Sequence, residues 1–262
     1  MSSKSKTAVV TGSSGLLGSV IVRALSARDW HVIAIDLTPP QMPLPHNVTF
    51  VQHDLADIAG ISRLKAKVSQ LTNCLKCLIN NAAFNPTVGS GGSGFGKFED
   101  LELDAWEGEV RLNLTSPVFL TKQLLDLFYH GDGMNCKIIN ILSIYGIVPP
   151  NQNLYRDWSA KIGQDMVKPI GYPVTKAALG MVTRYLAVYL ARRGFNVNAV
   201  APGGITAANQ PKEFVEAYEN YVPMGRMALA NEIIGPILML SGPESDYING
   251  QILAVDGGWT VW

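Results

Sequence analysis

The chain has little cysteine and no excess of either charge. Its 262 residues include three cysteines, an odd and low count that does not suggest a disulfide framework and that fits a reducing compartment. The 21 basic and 21 acidic side chains give a formal net charge of zero, which argues against electrostatic binding to nucleic acid or to a membrane surface. We therefore expect a small-molecule partner, no nucleic acid and no membrane.

Long hydrophobic runs, internal repeats and long linkers are also missing. No segment approaches the roughly 20 apolar residues that span a bilayer, and the apolar run after the polar residues 1–6 is only one strand long, so a cytoplasmic protein is expected. With 47% hydrophobic and 16% charged residues, the chain 1–262 is expected to bury one sizeable core as a single domain. The Gly-Ser-rich segment 88–96 is interpreted as a mobile loop beside a strand end.

Cys74 and Cys77 form a C-x-x-C pair, but no metal site is predicted from it. A zinc site needs a second pair of ligands, and Cys136, the third cysteine, stands alone. Cys77 also opens an apolar run that is typical of a buried strand. The pair is therefore interpreted as structural.

Strand-like and helix-like segments alternate along the chain, which predicts an α/β fold with a parallel sheet and helices on both faces. The clearest helix is predicted over 173–193, where an apolar stripe runs from Leu179 to Leu190 and Gly194 ends it. The predicted strands are 7–11, 31–36, 48–52, 76–80, 137–142, 195–200 and 251–255.

A glycine-rich turn follows the first predicted strand. Gly12, Gly15 and Gly18 precede or open an apolar helix, so backbone amides and the helix N-terminus can meet a pyrophosphate there. Asp36 closes the second strand roughly 20 residues later, where a carboxylate can bind both adenosine ribose hydroxyls and repel a 2′-phosphate. Since no Arg or Lys stands in the turn or just after Asp36, the sequence predicts NAD, with NADP less favoured. The alternative is a turn that only packs helix on strand.

Tyr172 and Lys176 stand four residues apart, on one face of the predicted helix. A nearby ammonium favours the phenolate, so we expect the pKa of Tyr172 to lie below its ordinary value of about 10. Such a tyrosine can exchange a proton with an alcohol or a carbonyl near neutral pH. Because the same spacing occurs by chance on solvated helix faces, the interpretation depends on the surrounding motifs.

Five motifs together resemble the short-chain dehydrogenase/reductase family, and the resemblance covers nearly the whole chain. It implies an NAD-dependent oxidoreductase with a Rossmann-type doubly wound sheet, in which cofactor and substrate meet at the C-terminal ends of the strands. The motifs are the turn from Gly12 to Gly18, Asp54 after the third strand, Asn80-Asn81-Ala82-Ala83 after the fourth, Ser143 after the fifth, and Tyr172 and Lys176 with Pro202-Gly203-Gly204-Ile205 after the sixth.

The resemblance implies a role for each catalytic candidate. Tyr172 is the general acid or base, Lys176 lowers its pKa and holds the nicotinamide ribose, and Ser143 binds the reacting oxygen. Asn113 matches the asparagine that supports a proton relay in the family. For Ser143 the alternative is a strand-end cap, and for Asn113 it is a mid-helix polar residue bonded to a carbonyl.

The resemblance also implies the dinucleotide contacts. Asp54 meets the adenine, Asn81 contacts the adenosine ribose and holds a central turn, and Ile205 binds the carboxamide through its backbone. The full set expected to bind the cofactor is Gly12, Ser14, Gly15, Leu16, Leu17, Gly18, Asp36, Asp54, Leu55, Asn81, Ala82, Ala83, Tyr172, Lys176, Pro202, Gly203 and Ile205.

The spacing of the motifs departs from the short, single-domain branch of the family in two places. Gly15 stands one position early, in the Gly-x-x-Gly-x-x-Gly pattern of the extended branch, and about twice the usual distance separates Ser143 from Tyr172. Extended members need a further substrate domain, whereas this chain stops at an ending that matches the short branch. We therefore expect the short branch with an insertion at about 146–170.

The long gap makes Tyr155 a rival for the catalytic tyrosine. Ser159 stands four residues after it, so no cation on the same helical face can lower its pKa, and Tyr172 keeps the assignment. The insertion is interpreted either as a surface excursion or as a substrate-contacting segment. Its candidate contacts are Tyr155, Arg156, Trp158 and Lys161.

A second cover is predicted at about 206–227, just after the turn that meets the nicotinamide. Phe214, Tyr218 and Tyr221 are expected on a helix there, and such segments often close over a ligand and exclude water. Arg226 is a candidate contact for an anionic substrate, with a structural ion pair as the alternative.

The expected substrate is a polar, hydroxylated molecule such as a sugar. The basic and aromatic insertion, the glycine spacing and the C-terminal tail resemble bacterial short-chain enzymes of surface-glycan and nonulosonic-acid pathways. The alternatives are a 3-oxoacyl or general alcohol/ketone reductase and a non-catalytic dinucleotide sensor. The family resemblance implies a homo-oligomer, a tetramer or a dimer, and the apolar tail 259–262 is expected to pack in a partner subunit or in its own core.

Overall fold

The computed structural model describes residues 6–86, 88, 95–131, 133–161, 163 and 167–262, without the side chain of Lys161. The strands are β1 (Thr7–Thr11), β2 (His31–Asp36), β3 (Val48–Gln52), β4 (Leu75–Asn80), β5 (Cys136–Ile141), β6 (Phe195–Pro202) and β7 (Ile252–Val255). The α-helices are α1 (Leu16–Ser26), α2 (Ile61–Leu71), α3 (Leu103–Val110), α4 (Ser116–Leu124), α5 (Gln152–Lys161), α6 (Gly171–Leu190), α7 (Lys212–Glu219) and α8 (Ala230–Ser241).

In the described part of the chain, seven strands form one parallel sheet in the order β3-β2-β1-β4-β5-β6-β7. Val9 belongs to one apolar core and its neighbours Ala8 and Val10 to another, because successive strand side chains point to opposite faces. Helices α2, α4 and α6 cover the first core, and α1 and α8 cover the second. The doubly wound Rossmann-type fold is therefore confirmed.

Each predicted strand is present, and its ends differ from the prediction by two residues at most. The largest difference is β6, which continues from Val200 to Pro202 because Ala201 and Pro202 pair with β7. The predicted helix 173–193 begins two residues earlier, at Gly171, and continues after Leu190 as a short 3-10 turn. Gly194 ends this turn in the left-handed region, at φ +75°, as expected for a glycine stop.

The sheet reverses its winding direction beside β1, which pairs with both β2 and β4. In an open parallel sheet, a crevice forms at such a point, outside the C-terminal ends of the strands. The glycine turn follows β1 and Asn81 follows β4, so the two motifs meet at this crevice. The fold thereby brings together residues that are about 70 positions apart in sequence, as in the Asn81–Thr11 contact.

The two segments expected to cover the site each carry a helix. Helix α5 lies in 146–170 and α7 lies in 206–227, and the two helices contact each other. Most of the Gly-Ser-rich segment, residues 89–94, lies outside the described residues. Over the ranges that the structure describes, no helix is long and apolar enough to cross a membrane.

Candidate active site

Two glycines close the turn between β1 and α1. Gly12 has a φ of +63°, and a Cβ atom there would lie 2.7 Å from the Cα of Ala82. A Cβ at Gly18 would lie 1.9 Å from the carbonyl oxygen of Gly12. Helix α1 has no side-chain N-cap and no acid in its first turn, so its first backbone N–H groups can bind an anion. The chemistry and the close backbone approach of this cradle fit a dinucleotide pyrophosphate.

Asp36 is held in place at the C-terminal end of β2. Its Oδ2 accepts a hydrogen bond from the backbone N–H of Ser14 at 2.9 Å, and its Oδ1 accepts one from the N–H of Thr38 at 3.0 Å. These bonds tie the carboxylate to the glycine turn. Leu37 and Thr38 beside it carry no charge.

Asn81 connects the end of β4 to the same turn. Its Nδ2 donates to the carbonyl oxygens of Thr11 and Gly12, both at 3.0 Å, and its backbone N–H donates to Thr11 Oγ1 at 2.9 Å. The structure therefore places Asn81 as the holder of a central turn, beside the position expected for the adenosine ribose.

The loops at the C-terminal ends of the strands line one cavity of about 600 Å³. Asn113 is the expected site residue that does not line it. The expected residues that do are Gly12, Ser14, Gly15, Leu16, Leu17, Gly18, Asp36, Asp54, Leu55, Asn81, Ala82, Ala83, Ser143, Tyr172, Lys176, Pro202, Gly203 and Ile205.

Ser143 and Tyr172 come together as buried residues in this cavity. Ser143 follows β5, and its Oγ accepts a hydrogen bond from the N–H of Tyr145 at 3.2 Å, so it also acts as the expected strand-end cap. A hydrogen bond with Ser143 favours the Tyr172 phenolate, but burial has the larger effect and raises the pKa of Tyr172 to about 12. The prediction that the pKa of Tyr172 lies below its ordinary value is therefore wrong, because desolvation disfavours the charged form.

Lys176 lies one helical turn after Tyr172 on α6, as predicted. Its Nζ donates to the carbonyl oxygen of Ile141 at 2.7 Å and lies 5.7 Å from the centroid of the Tyr172 ring. Burial lowers the pKa of Lys176 to about 8. The lysine is thus held at the end of β5, and its ammonium does not offset the desolvation of the phenol.

Asn113 lies behind the cavity, in a π-helical turn between α3 and α4. Its Oδ1 accepts from the N–H of Phe84 at 2.8 Å, and its Nδ2 donates to the carbonyl oxygen of Phe84 at 2.9 Å. The side chain thereby fixes the loop that follows β4. These contacts match the alternative of a polar residue bonded to a carbonyl, here to both backbone groups of one residue, and the proton-relay role of Asn113 stays a prediction.

Tyr155 also enters the cavity, on α5 of the insertion. Its hydroxyl lies 2.8 Å from that of Tyr145, and burial raises its pKa well above the ordinary value. Among the charged contacts of the insertion, Arg156 is exposed and the side chain of Lys161 lies outside the described residues. Trp158 is half-buried and its ring contacts Phe214 at 6.4 Å between centroids.

The segment 206–227 covers the cavity with two aromatic residues of α7. Phe214 and Tyr218 are buried and line the cavity, and the N–H of Gly204 donates to the Tyr218 hydroxyl at 2.7 Å. Tyr221 was expected on the same helix but follows its end. Arg226 forms a bidentate ion pair with Glu232, with both N–O distances 2.7 Å, so it takes the structural alternative.

Several residues that line the cavity were missed from the sequence, among them His53 and Lys168. His53 lies beside Asp54, at the end formed by β2 and β3, and Lys168 lies beside Tyr172. One sequence signal could have found Lys168, because it stands four residues before Tyr172 as Lys176 stands four after. The signal was hidden by Pro169, which places Lys168 outside the helix.

Comparison with known proteins shows which family the chain resembles in sequence and in fold. A family model described as "Enoyl-(Acyl carrier protein) reductase" matches residues 13–260. The chain is 28% identical to the 2-dehydro-3-deoxy-D-gluconate 5-dehydrogenase of Escherichia coli, over 97% of this chain and 95% of that protein. It is 29% identical to a rhamnolipids biosynthesis 3-oxoacyl-[acyl-carrier-protein] reductase of Pseudomonas aeruginosa, over 96% and 95% of the two chains.

Solved structures show the same architecture. A short-chain dehydrogenase of Leptospira borgpetersenii with bound NAD+ has a TM-score of 0.85 at 28% identity, over 98% of this chain and 94% of that one. The RhlG/NADP active-site complex of Pseudomonas aeruginosa has a TM-score of 0.79 at 26% identity, over 98% and 96% of the two chains. Similar folds therefore hold either nicotinamide dinucleotide.

Proposed function

The chain belongs to the short-chain dehydrogenase/reductase family, and from this premise we propose that it is an NAD(H)-dependent oxidoreductase that interconverts an alcohol and a carbonyl on a polar, hydroxylated substrate such as a sugar derivative. The observation that carries the proposal is one continuous cavity. Ser143, Tyr172 and Lys176 lie at one end of it, and the glycine turn with Asp36 lies at the other.

The residues of the chain do the proton chemistry, while the bound nicotinamide supplies or accepts the hydride. Because burial keeps the Tyr172 hydroxyl protonated, it can donate its proton to the oxygen of a carbonyl substrate. Ser143 binds the same oxygen and orients it toward the phenol. Lys176 would hold the nicotinamide ribose, and its hydrogen bond to the carbonyl oxygen of Ile141 at the end of β5 fixes the position of its ammonium.

The preference for NAD is supported by Asp36 and its uncharged neighbours. A carboxylate held by two backbone N–H groups is a ready acceptor for ribose hydroxyls, and it repels a 2′-phosphate. No basic residue follows in Leu37, Thr38 or Pro39. A neighbouring lysine or arginine would be needed for NADP.

Two observations bear on the substrate class. The Escherichia coli relative acts, by its name, on a sugar acid, and the polar insertion of this chain suits a hydroxylated substrate. The second candidate is a 3-oxoacyl reductase. It is favoured by the name of the Pseudomonas relative and by the aromatic side chains that line the cavity, those of Tyr155, Phe214 and Tyr218. Turnover of 3-oxoacyl substrates in place of sugars would select the second candidate.

A homo-oligomer, a tetramer or a dimer, is part of the proposal. It is supported by an exposed apolar face on α6 that includes Met181, Tyr185 and Val188. The two tryptophans of the tail 259–262 differ in their exposure. Trp259 stacks on Tyr218 in its own subunit, with ring centroids 4.5 Å apart, whereas Trp262 is 75% exposed.

Replacing the phenol tests the mechanism. Tyr172→Phe should lower kcat by about 10²–10⁴-fold, because the proton donor is lost, while NADH still binds. Reduction of a panel of keto sugars and 3-oxoacyl compounds is followed by NADH absorbance. The control is Tyr247→Phe, a fully exposed tyrosine outside both the cavity and the apolar face of α6, which should leave kcat unchanged. Full activity in Tyr172→Phe would contradict the mechanism, whereas a wild type that binds NADH but reduces no panel member would favour the sensor hypothesis.

A further inference from the structure

Lys168 is a buried cation beside Tyr172 that the family motifs assign no role. Its Nζ lies 4.9 Å from the centroid of the Tyr172 ring, closer than the 5.7 Å of Lys176. The side chain is 4% exposed, and the residue lines the cavity. A substrate whose reacting oxygen meets the Tyr172 hydroxyl therefore has other groups within reach of this ammonium.

The hydrogen bonds of Lys168 leave one donor unused. A lysine ammonium has three N–H donors. One donates to Asn85 Oδ1 at 2.6 Å and another to the carbonyl oxygen of Pro86. Among the described residues no hydrogen-bond acceptor takes the third, and the ammonium also faces the Phe95 ring at 5.5 Å. The site is thus prepared for an acceptor that the described residues do not supply.

The charges around the cavity make its substrate end cationic. The acids that line it lie at the end expected for the adenosine, where Asp36 ends β2 and Asp54 follows β3. The carboxylate whose charge acts on Lys168 is Glu109, which is buried, does not line the cavity and has an Oε2 without a hydrogen-bond partner. Walls of low dielectric strengthen the attraction of such an end for an anion.

We infer that Lys168 binds a carboxylate of the substrate, so that the substrate is a hydroxy or keto sugar acid. A single lysine balances the one charge of a carboxylate, whereas a phosphate monoester carries about −1.5 to −2 and is better matched by several basic groups. Burial lowers the pKa of Lys168 to about 7, and a bound carboxylate favours its charged form. The inference rests on the proposed function, because it names the substrate class of the same site.

The first test compares substrates that differ in one group. 5-Keto-D-gluconate and L-sorbose differ by a carboxylate in place of a hydroxymethyl group. With saturating NADH, we expect the keto acid to have a kcat/KM at least about tenfold higher, mainly through a lower KM. Equal efficiency for the two, or a preference for fructose 6-phosphate over the keto acid, would overturn the inference.

The second test replaces the lysine. Lys168→Met should raise the KM for the keto acid by about tenfold or more and change kcat/KM for L-sorbose by less than about threefold. Lys168→Arg, which keeps the charge, should retain the preference for the acid. Lys122→Met, an exposed lysine of α4, is the control and should change neither. An equal loss for both substrates in Lys168→Met would show a structural role and overturn the inference.

A binding measurement separates this inference from the proposed function. In the presence of NAD, D-gluconate should raise the Tm of the wild-type protein, while its neutral amide, D-gluconamide, should not. If D-gluconate binds through Lys168 but no panel member is reduced, the proposed reaction fails and the carboxylate site stands. If D-gluconate and D-gluconamide have the same effect, or neither has any, the carboxylate site fails.

Discussion

Tyr172 shows how burial can reverse an expectation drawn from residue spacing. Its distance of four residues from Lys176 predicts a lowered pKa, yet the phenol is desolvated and the ammonium is held at the carbonyl oxygen of Ile141. The hydroxyl is therefore a proton donor over the physiological range. A proton acceptor at the same position requires additional positive charge close to the phenolate.

Asp36 supports a prediction on cofactor choice. Titration by fluorescence should give a Kd for NADH at least about tenfold below that for NADPH, because the carboxylate repels a 2′-phosphate. Asp36→Ala should bring the Kd values for NADH and NADPH closer together, mainly because NADH binding is weakened by the lost ribose contacts. Asp126→Ala, which removes an exposed carboxylate paired with Lys65, should leave the ratio unchanged. Tighter binding of NADPH by the wild type would contradict the role given to Asp36.

Lys168 supports a prediction on stability and pH. The pKa of Lys168 is about 7 in the folded protein and 10.5 at its ordinary value, so between these pH values the unfolded state binds more protons. The free energy of unfolding therefore rises with pH in this window, by up to about 1.4 kcal/mol per pH unit. Lys168→Met has no titrating group at this position, so its free energy of unfolding lacks this pH-dependent contribution.

Urea denaturation at about pH 7 and pH 9 measures the effect. The free energy of unfolding of the wild type minus that of Lys168→Met should increase between the two pH values, whether this difference is positive or negative at pH 7. Burial raises the pKa of Glu109, the carboxylate that acts on Lys168, and this residue is present in both proteins. Lys122→Met should show the wild-type slope, and a pH-independent difference for Lys168→Met would contradict the prediction.

At the scale of elements, the contact between α1 and the end of β1 depends on the absence of a side chain. Gly18→Ala would place a Cβ 1.9 Å from the carbonyl oxygen of Gly12, so the helix must move away from the turn. We expect a loss of about 1–3 kcal/mol in the free energy of unfolding. In Gly15→Ala the added Cβ would lie 3.4 Å from the carbonyl oxygen of Gly12, which is an ordinary contact distance, so that variant should keep its stability. Equal stability of Gly18→Ala and the wild type would contradict this packing.

Helix α7 was expected, whereas α5 lies in a segment that was expected only as an insertion, and the packing of the two helices was not predicted. Tyr155 and Phe214 contact each other with ring centroids 5.7 Å apart, and each also lines the cavity. The insertion therefore contributes to the cavity wall and is more than a surface excursion. The polar sequence of the insertion does not predict this packing, because the two helices are about 60 residues apart in sequence.

At the scale of the whole molecule, one face of α6 remains apolar and exposed. Met181, Tyr185, Val188 and Tyr189 recur at helical spacing, with exposed fractions of 61%, 65%, 83% and 62%. We expect sedimentation of the wild type as a dimer or tetramer, because burial of this face is favourable. Val188→Asp should shift the sedimenting species toward the monomer, whereas Lys67→Asp on α2 should not. A monomeric wild type would contradict the proposal.

Much of the fold could be predicted from the sequence because its signals are local. A short apolar run bounded by turn residues predicts a strand at that position in the chain, and a glycine pattern after such a run predicts a strand-to-helix turn. The strands and the glycine turn were found in this way. Tyr221 shows the limit of such signals, since α7 ends at Glu219, two residues before it.

The sequence by itself determined the sheet, the glycine cradle, Asp36 and the order of Ser143, Tyr172 and Lys176 along the chain. The tertiary structure decided the protonation of Tyr172, the position of Asn113 behind the cavity and the arrival of Lys168 beside the phenol. The physical reason is that residue spacing records which groups are neighbours on one element. Desolvation and contacts between distant segments exist only once the chain has folded around the cavity.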